Sequence, residues 1–388
     1  MGAAERRARI GVRHHLATSA RATDPTTVAG DLVGLHGTDA AAVILAAAAR
    51  VVSPDVPAIE RALYDERTLI RILGMRRTMF VVPLDLAAVI QASCTRAIAA
   101  LERRKAIDLF ARASLAVDAK AWLEDVEGST LRALTARGEA LATELGEDEP
   151  RLRLEVVVPD AKTYGGRQNV VTRILFLLAA DGKIVRGRPR GSWISSQYRW
   201  STTEAWLGQP IPEIGAEDAR VELVRRWLAA FGPGTEADIR WWTGWTLGDV
   251  RRALAAIGPE TVDLDGAAGL VLPRDTGSTD APAPWVALLP ALDPTVMAWT
   301  ARDWYLGEHR SALFDRNGNA GPTVWSDGRV VGGWASGASG GVVVRLLEDV
   351  GSEASVAIEA EADRLGRWLG ATRVTPRFRT PLEQELSA

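Results

Sequence analysis

Cysteine and histidine are scarce in this sequence. Cys94 is the only cysteine among 388 residues, so neither an intramolecular disulfide nor a cysteine-rich zinc site can form. His14, His15 and His309, three of the four histidines, show no metal-ligand spacing with one another or with Cys94. We therefore predict a protein without a metal or cofactor, located in a reducing, cytoplasmic compartment.

Long apolar runs are also missing. The richest run, Ala40 to Ala49, is short and dominated by alanine, whereas a bilayer-spanning helix needs roughly 18 or more consecutive apolar residues. Residues Met1 to Arg13 carry charges of both signs and lack the apolar core of a signal peptide. The expectation is a protein that uses no membrane, and that acts as a monomer.

Lysine is rare, although positive charge is not. Only four of the 46 basic residues are lysines, and the formal net charge is −3. That balance argues against a strongly basic nucleic-acid binder, and a GC-rich genome alone accounts for abundant Ala, Gly and Arg. Arginine's rigid fork nevertheless suits phosphate and base edges better than lysine does. Local clusters of arginine are therefore more informative than the total.

The order of helical and β-like patterns predicts several units. Three times, a group of helical segments is followed by a short β-like run or hairpin, the order typical of a winged helix, and a β-rich segment then ends the chain. The predicted class is α+β, a tandem of three winged-helix units followed by a small barrel-like domain. The expected units are a first winged helix (1–83), a long connecting helix (84–116), a second winged helix with an arginine-rich wing (117–208), a third winged helix (213–283), and a C-terminal β-rich domain with a closing helix (284–388).

The densest basic patch lies in the second unit. Alternation of arginine with glycine and proline over 183–191 predicts an exposed wing loop, which suits phosphate contact, although a solvated wing is the alternative. Trp193 and Tyr198 are candidates for contact with sugar or base. A further patch precedes a β-like run in the first unit, and 373–379 is either a third patch or a flexible tail. The candidate DNA-binding residues are Arg76, Arg77, Arg186, Arg188, Arg190, Trp193 and Arg199.

A polar break between two apolar helical segments carries the candidate chemistry. In Leu35 to Asp39 an imidazole, a hydroxyl and a carboxylate fall within four residues. In extended backbone, His36 and Thr38 point to one side and can hold a water molecule between them. Asp39 either offers negative charge to a sugar cation or caps the helix that begins at Ala40. Thr38 is alternatively a turn hydroxyl, and His36 a satisfied, semi-buried side chain.

The order and spacing of weak motifs resemble the AlkZ-type winged-helix DNA glycosylase family over nearly the whole chain. The residues 31–39 stand where that family has its Q-x-Q or related motif, with His36, Gly37 and Thr38 in place of the usual residues. The other matching stretches are 77–83, which resembles the family's arginine-threonine strand, 232–235 and 241–244, similar to its third winged helix, and 289–294, 319–322 and 327–334, which resemble its C-terminal β-domain.

The resemblance implies hydrolysis of the N-glycosidic bond of bulky N7-alkylated purines in double-stranded DNA, for self-resistance to genotoxins or for unhooking of crosslinks. Carried over by position, the residues that hold the attacking water are His36 and Thr38, with Asp39 beside them. A non-catalytic DNA-binding protein on the same scaffold is the second hypothesis. Sequestration of a small genotoxic molecule is a weaker third.

Overall fold

The α+β class is confirmed. A computed structural model describes residues 1–158, 166–338 and 340–388. Helix makes up 49% and strand 18% of the chain. Parts of the predicted second winged helix and of the predicted C-terminal domain, 159–165 and Ser339, lie outside the described residues.

The first segment places four helices before and around a small antiparallel sheet. Asp24 caps the second helix, as the Asp-Pro pair predicts, by accepting from the amides of Thr26 and Thr27. The strands lie in the order β1-β3-β2. The elements are α1 (Ala3–Arg13), α2 (Pro25–Asp31), β1 (Leu35–His36), α3 (Ala40–Ala48), α4 (Val56–Glu60), β2 (Leu69–Leu73) and β3 (Met79–Pro83), with a π turn at Arg61–Asp65.

A long helix lies where the connecting helix is predicted, but it begins at Leu84, whereas the sequence favours Asp85 as the N-cap of a helix from Leu86. It runs through α5 (Leu84–Ile90), a π turn (Gln91–Thr95) and α6 (Arg96–Arg112). Pro83 is the N-cap, and Asp85 lies in the first turn. By length and composition Leu84–Arg112 is apolar enough to cross a membrane, but 61% of its most apolar window is buried inside the protein. It is packed as a core helix.

The second segment differs from its prediction at one helix. Two short helices are expected over 118–137, but one continuous helix forms, with Asp118 as its cap. Its main sheet has the order β4-β8-β7. The elements are α7 (Ala119–Arg137), β4 (Glu139–Ala140), α8 (Ala142–Asp148), β5 (Glu155–Val158), β6 (Gly166–Asn169), α9 (Val170–Ala180), β7 (Ile184–Pro189), β8 (Tyr198–Thr202) and α10 (Thr203–Leu207).

The third segment follows its local signals closely. Thr235 and Thr246 cap the second and third helices, each accepting from the amide of an aspartate three residues on. The elements are α11 (Ala216–Phe231), α12 (Glu236–Thr243), α13 (Leu247–Ile257), β9 (Glu260–Leu264) and β10 (Ala267–Val271). In all three segments helices thus accompany a small antiparallel sheet; the winged-helix interpretation itself stays a prediction.

The C-terminal segment is β-rich but is not a barrel. Its four described strands form an open antiparallel meander in chain order, with β11 and β14 at opposite edges. The closing helix packs against this sheet. That helix begins at Ser352, which is therefore not its N-cap. The elements are β11 (Val286–Leu289), α14 (Asp303–Leu306), α15 (Arg310–Leu313), β12 (Thr323–Ser326), β13 (Arg329–Ser336), β14 (Val342–Leu346), α16 (Ser352–Leu369) and α17 (Pro381–Leu386).

A buried ion pair joins the first and last segments. The Arg50 guanidinium donates to both carboxylate oxygens of Asp293 at 2.7 and 2.8 Å, and both side chains are 0% exposed. Arg50 also donates to Thr295 Oγ1 at 2.9 Å. A buried bidentate pair of this kind needs such extra hydrogen bonds to offset desolvation. The two segments are therefore held in a fixed relation, and the candidate site lies where they meet.

Candidate functional site

Strand pairing places His36, at the start of the central motif, in extended backbone. His36 pairs with Phe80 across β1 and β3, and the Gly37 amide donates to the Met79 carbonyl at 2.7 Å. His36 and Thr38 line the same cavity, of about 310 Å³, which we name the His36 cavity. The two side chains therefore share one cavity, as predicted, although Thr38 lies in a bend beyond the strand.

His36 is a neutral imidazole. Its side chain is buried, and its ring centroid lies 5.4 Å from that of Phe80. Burial, reinforced by the positive charge of Arg76, lowers the pKa of His36 to about 3. Nδ1 is buried without a hydrogen-bond partner among the described residues. A neutral ring nitrogen is thus available to a water or substrate in the cavity.

Thr38 presents the second unpartnered atom. Its Oγ1 is buried and bonds to no other described atom. The side chain also lines a second cavity of about 480 Å³, the Tyr198 cavity, on which Tyr198 and Trp200 of β8 also lie. Burial of an unsatisfied hydroxyl costs about 1–3 kcal/mol. Two such atoms two residues apart are typical of a site that a ligand or water completes.

Asp39 serves the fold. One carboxylate oxygen accepts from the Ala41 amide at 3.0 Å, which caps α3. The other accepts from the Arg377 amide at 2.9 Å and so ties the C-terminal segment to the motif. The capping interpretation is confirmed. Asp39 does not line the cavity that His36 and Thr38 share, so the structure does not bring the predicted trio together there.

Three arginines give the His36 cavity a positive wall. Arg76 has left-handed backbone, with φ 53°, and its guanidinium lies 4.1 Å from the ring centre of Trp241. Arg302 lies 4.8 Å from the same ring, and Arg310 borders the cavity mouth. No carboxylate lines the cavity among the described residues. The full lining is His36, Thr38, Arg76, Thr78, Trp241, Met297, Thr300, Arg302, Arg310, Asn317, Gly318, Asn319 and Phe378.

The Tyr198 cavity is also cationic. Arg186, Arg190 and Arg377 line it, again without a carboxylate from the described part of the chain. The Arg186 guanidinium lies 5.5 Å from the Tyr198 ring centre and 5.1 Å from that of Trp200. Burial lowers the pKa of Arg186 to about 10, so it stays charged at neutral pH.

The predicted exposed wing is largely a paired strand, and both Arg188 in it and Arg199 on the neighbouring strand have internal partners. Because β7 continues through Pro189, Arg188 reaches Glu60 and Asp65, at 3.0 Å each. Arg199 of β8 likewise pairs with Glu139 and Glu144. The exposed-loop expectation is therefore wrong for Arg186 and Arg188, whereas Arg190 lies beyond the strand and is exposed.

Two other predicted DNA-binding residues lie outside both cavities. Arg77 pairs with the buried Glu102 at 2.9 Å. Trp193 packs against Trp368 of the closing helix, with ring centroids 6.1 Å apart. Contact of these two residues with DNA stays a prediction, and their positions outside the cavities do not support it.

Several lining residues escape sequence reasoning. Trp241, for which the sequence favours a core position over a stacking surface, packs against the core and also forms a cavity wall. Arg377 and Phe378 come from a segment whose tail interpretation is wrong, since Asp39 anchors it. Arg302 and Arg310 have no local motif that marks them. Their position follows only from the approach of the last segment to the first.

The fold and cavities together define an α+β protein with a cationic site suited to a phosphate-bearing ligand. A solved structure of the DNA glycosylase AlkZ from Streptomyces sahachiroi is similar to it, with a TM-score of 0.71 and 21% identity over 97% of this chain and 98% of that one. No protein of curated function matches the sequence.

The family model described as "DNA glycosylase AlkZ-like" matches residues 29–368. The chain therefore belongs to the AlkZ-like DNA glycosylase family, and is a DNA glycosylase, a hydrolase of N-glycosidic bonds. The family resemblance stated from the motifs is confirmed.

Proposed function

We propose that this protein removes bulky N7-alkylated purines from double-stranded DNA, and that His36 and Thr38 hold the attacking water. The observation that carries the assignment is that His36 and Thr38 line one cavity and that each has a buried atom without a hydrogen-bond partner among the described residues, Nδ1 and Oγ1 respectively. A water or substrate that completes the site explains why neither atom has a hydrogen-bond partner within the fold. Monomeric action in the cytoplasm is part of the same proposal.

The chemistry suits a weakly basic imidazole. An N7-alkylpurine is already cationic, so the bond from sugar C1′ to the base nitrogen breaks with its electron pair going to the base, which leaves neutral. The water oxygen then bonds to C1′, and one water proton is released to solvent. Attack on an oxocarbenium-like sugar makes the water acidic, so positioning contributes more than strong basicity. A His36 with a pKa of about 3 fits an orienting role.

Family membership favours this hypothesis over a non-catalytic DNA-binding protein. In the expected mechanism, Thr38 accepts or donates the second hydrogen bond to the water, and Asp39 keeps the motif and the Arg377 segment in place. Asp39 is in this proposal a positioning residue.

The test is base release from duplexes that carry defined N7-alkylguanines, from methyl to bulky adducts, in single turnover. The His36→Ala variant should lose release while it still binds a duplex with an abasic-site analogue. His309→Ala is the matched control, because His309 pairs with Glu348 at 3.0 Å and lines neither cavity. Absence of release by the wild type across the whole panel would remove the proposed substrate class.

A further inference from the structure

The six arginines that line the two cavities share an unusual property. None of them forms an ion pair with a carboxylate anywhere in the described ranges, although ion pairs are frequent elsewhere in the chain. Arg188 and Arg199, on the same hairpin as Arg186, are both paired. The six are Arg76, Arg302 and Arg310 in the His36 cavity, and Arg186, Arg190 and Arg377 in the Tyr198 cavity.

Part of this charge is buried at a cost. Arg302 is 4% exposed, and its Nη2 is buried without a partner, as is Nε of Arg76. Burial, together with the charge of Arg302, lowers the pKa of Arg76 to about 10. A buried cation without a counter-ion destabilises a fold unless a ligand supplies the opposite charge. The ligand class is therefore an anion, and guanidinium geometry suits phosphate.

Thr38 fixes the relation between the two cavities. It is the residue common to both linings, and it carries one of the two atoms assigned to the water. Anions on its two sides therefore flank the reacting position. In a nucleic-acid strand, the groups that flank a sugar in this way are its own two phosphates.

We propose that the two cavities bind the phosphates on either side of the reacting nucleotide, one in the His36 cavity and the next in the Tyr198 cavity, with the sugar over Thr38. The inference rests on the proposed function in taking DNA as the ligand. Its consequence is electrostatic: because no described carboxylate lines either cavity and Asp39 is committed to the fold, the DNA itself supplies the negative charge beside the developing sugar cation.

The test measures binding without chemistry. The probe is a duplex with one tetrahydrofuran abasic analogue, which has no base to release. Its binding to the protein is measured by fluorescence anisotropy. Three further duplexes carry one uncharged methylphosphonate, immediately 5′ of the analogue, immediately 3′ of it, or three nucleotides away. With the wild type, each adjacent replacement should weaken binding by about tenfold, and the distant one much less.

Two variants assign the cavities. Arg310→Met and Arg190→Met change exposed side chains, one in each cavity, and so leave the fold intact. Arg310→Met should abolish the effect of one adjacent methylphosphonate and Arg190→Met that of the other. Arg251→Met, an exposed arginine paired with Glu236, is the matched control and should change neither. Arg76→Met and Arg186→Met form a second pair, checked by thermal unfolding.

The inference is overturned if neither adjacent replacement weakens binding more than the distant one, if both variants affect the same position, or if neither variant alters the pattern. Its failure is separable from that of the proposed function. If the wild type releases the base but its affinity does not depend on the position of the methylphosphonate, the two phosphate sites alone are rejected. The expected pattern without release from any alkylated duplex would reject the substrate class alone.

Discussion

Lowering the pH should destabilise this protein through two buried histidines. Burial and nearby arginine charge lower the pKa of both His36 and His14 to about 3, against an ordinary value of about 6.5. The folded state keeps both neutral, whereas the unfolded chain binds a proton at each below about pH 6.5. Stability is therefore full above that pH and falls as the pH drops towards 3.

The size of the effect follows from linkage. At pH 5 each histidine should lower the free energy of unfolding by about 2 kcal/mol relative to pH 7.5. The combined loss from the two histidines is a large part of the free energy of unfolding of a typical domain, about 5–15 kcal/mol. His15 acts in the opposite direction, because its hydrogen bond to Asp31 raises its pKa. The informative quantity is therefore the difference between variants.

Urea unfolding at pH 7.5 and pH 5 measures that difference. His36→Gln removes one titrating group and should reduce the pH-dependent loss by about 2 kcal/mol. His14→Gln, outside both cavities, should do the same and is the matched control. Single-turnover base release should meanwhile stay flat between pH 5 and 8. Two results would refute the neutral, orienting imidazole. One is a His36→Gln variant that loses as much unfolding free energy at pH 5 as the wild type, and the other is a base-release rate that rises with a pKa of 6–7.

Three further outcomes are expected. Asp293→Asn, which leaves the buried Arg50 without its counter-ion, should cost about 3–5 kcal/mol in urea unfolding, and an unchanged midpoint would contradict the pair's role. Thr38→Val removes the unpartnered hydroxyl and should lower single-turnover base release by about tenfold or more without lowering the melting temperature, whereas Thr38→Ser should retain most of the rate. Arg188→Ala should leave DNA affinity nearly unchanged, because its charge is internally paired, whereas Arg190→Ala should weaken binding and reduce the salt slope by about one; equal effects of the two would overturn that distinction.

Local chemistry made much of the fold predictable. The cap at Asp39 is confirmed, because it depends on a side chain and an amide only two residues away, and the same local pairing starts helices at Asp24, Thr235 and Thr246. Element boundaries without such a signal were missed, as in the single helix over 118–137. The open C-terminal sheet was also missed, since closure depends on how strands pack against α16 and not on their patterns.

The residues of the candidate site also divide into those that a local pattern predicts and those that it does not. That His36 and Thr38 share a cavity was predictable because the two residues lie only two positions apart in the chain. Arg302, Arg310 and Phe378 join them across more than 200 residues of sequence, and no local pattern records that approach. The internal partners of Arg188 have the same origin, since Glu60 and Asp65 lie in another segment.

The pairing of arginines explains how a protein of net charge −3 can present a cationic site. On one hairpin, Arg188 is neutralised by two carboxylates while Arg186 and Arg190 line a cavity with none. Beyond a Debye length of about 8 Å the acidic surface is largely screened at physiological salt, so contact with phosphate is decided by the charges within the cavities. Arginine count and net charge are therefore poor guides to this site. The state of each guanidinium, paired within the fold or left for a ligand, determines which residues can hold DNA.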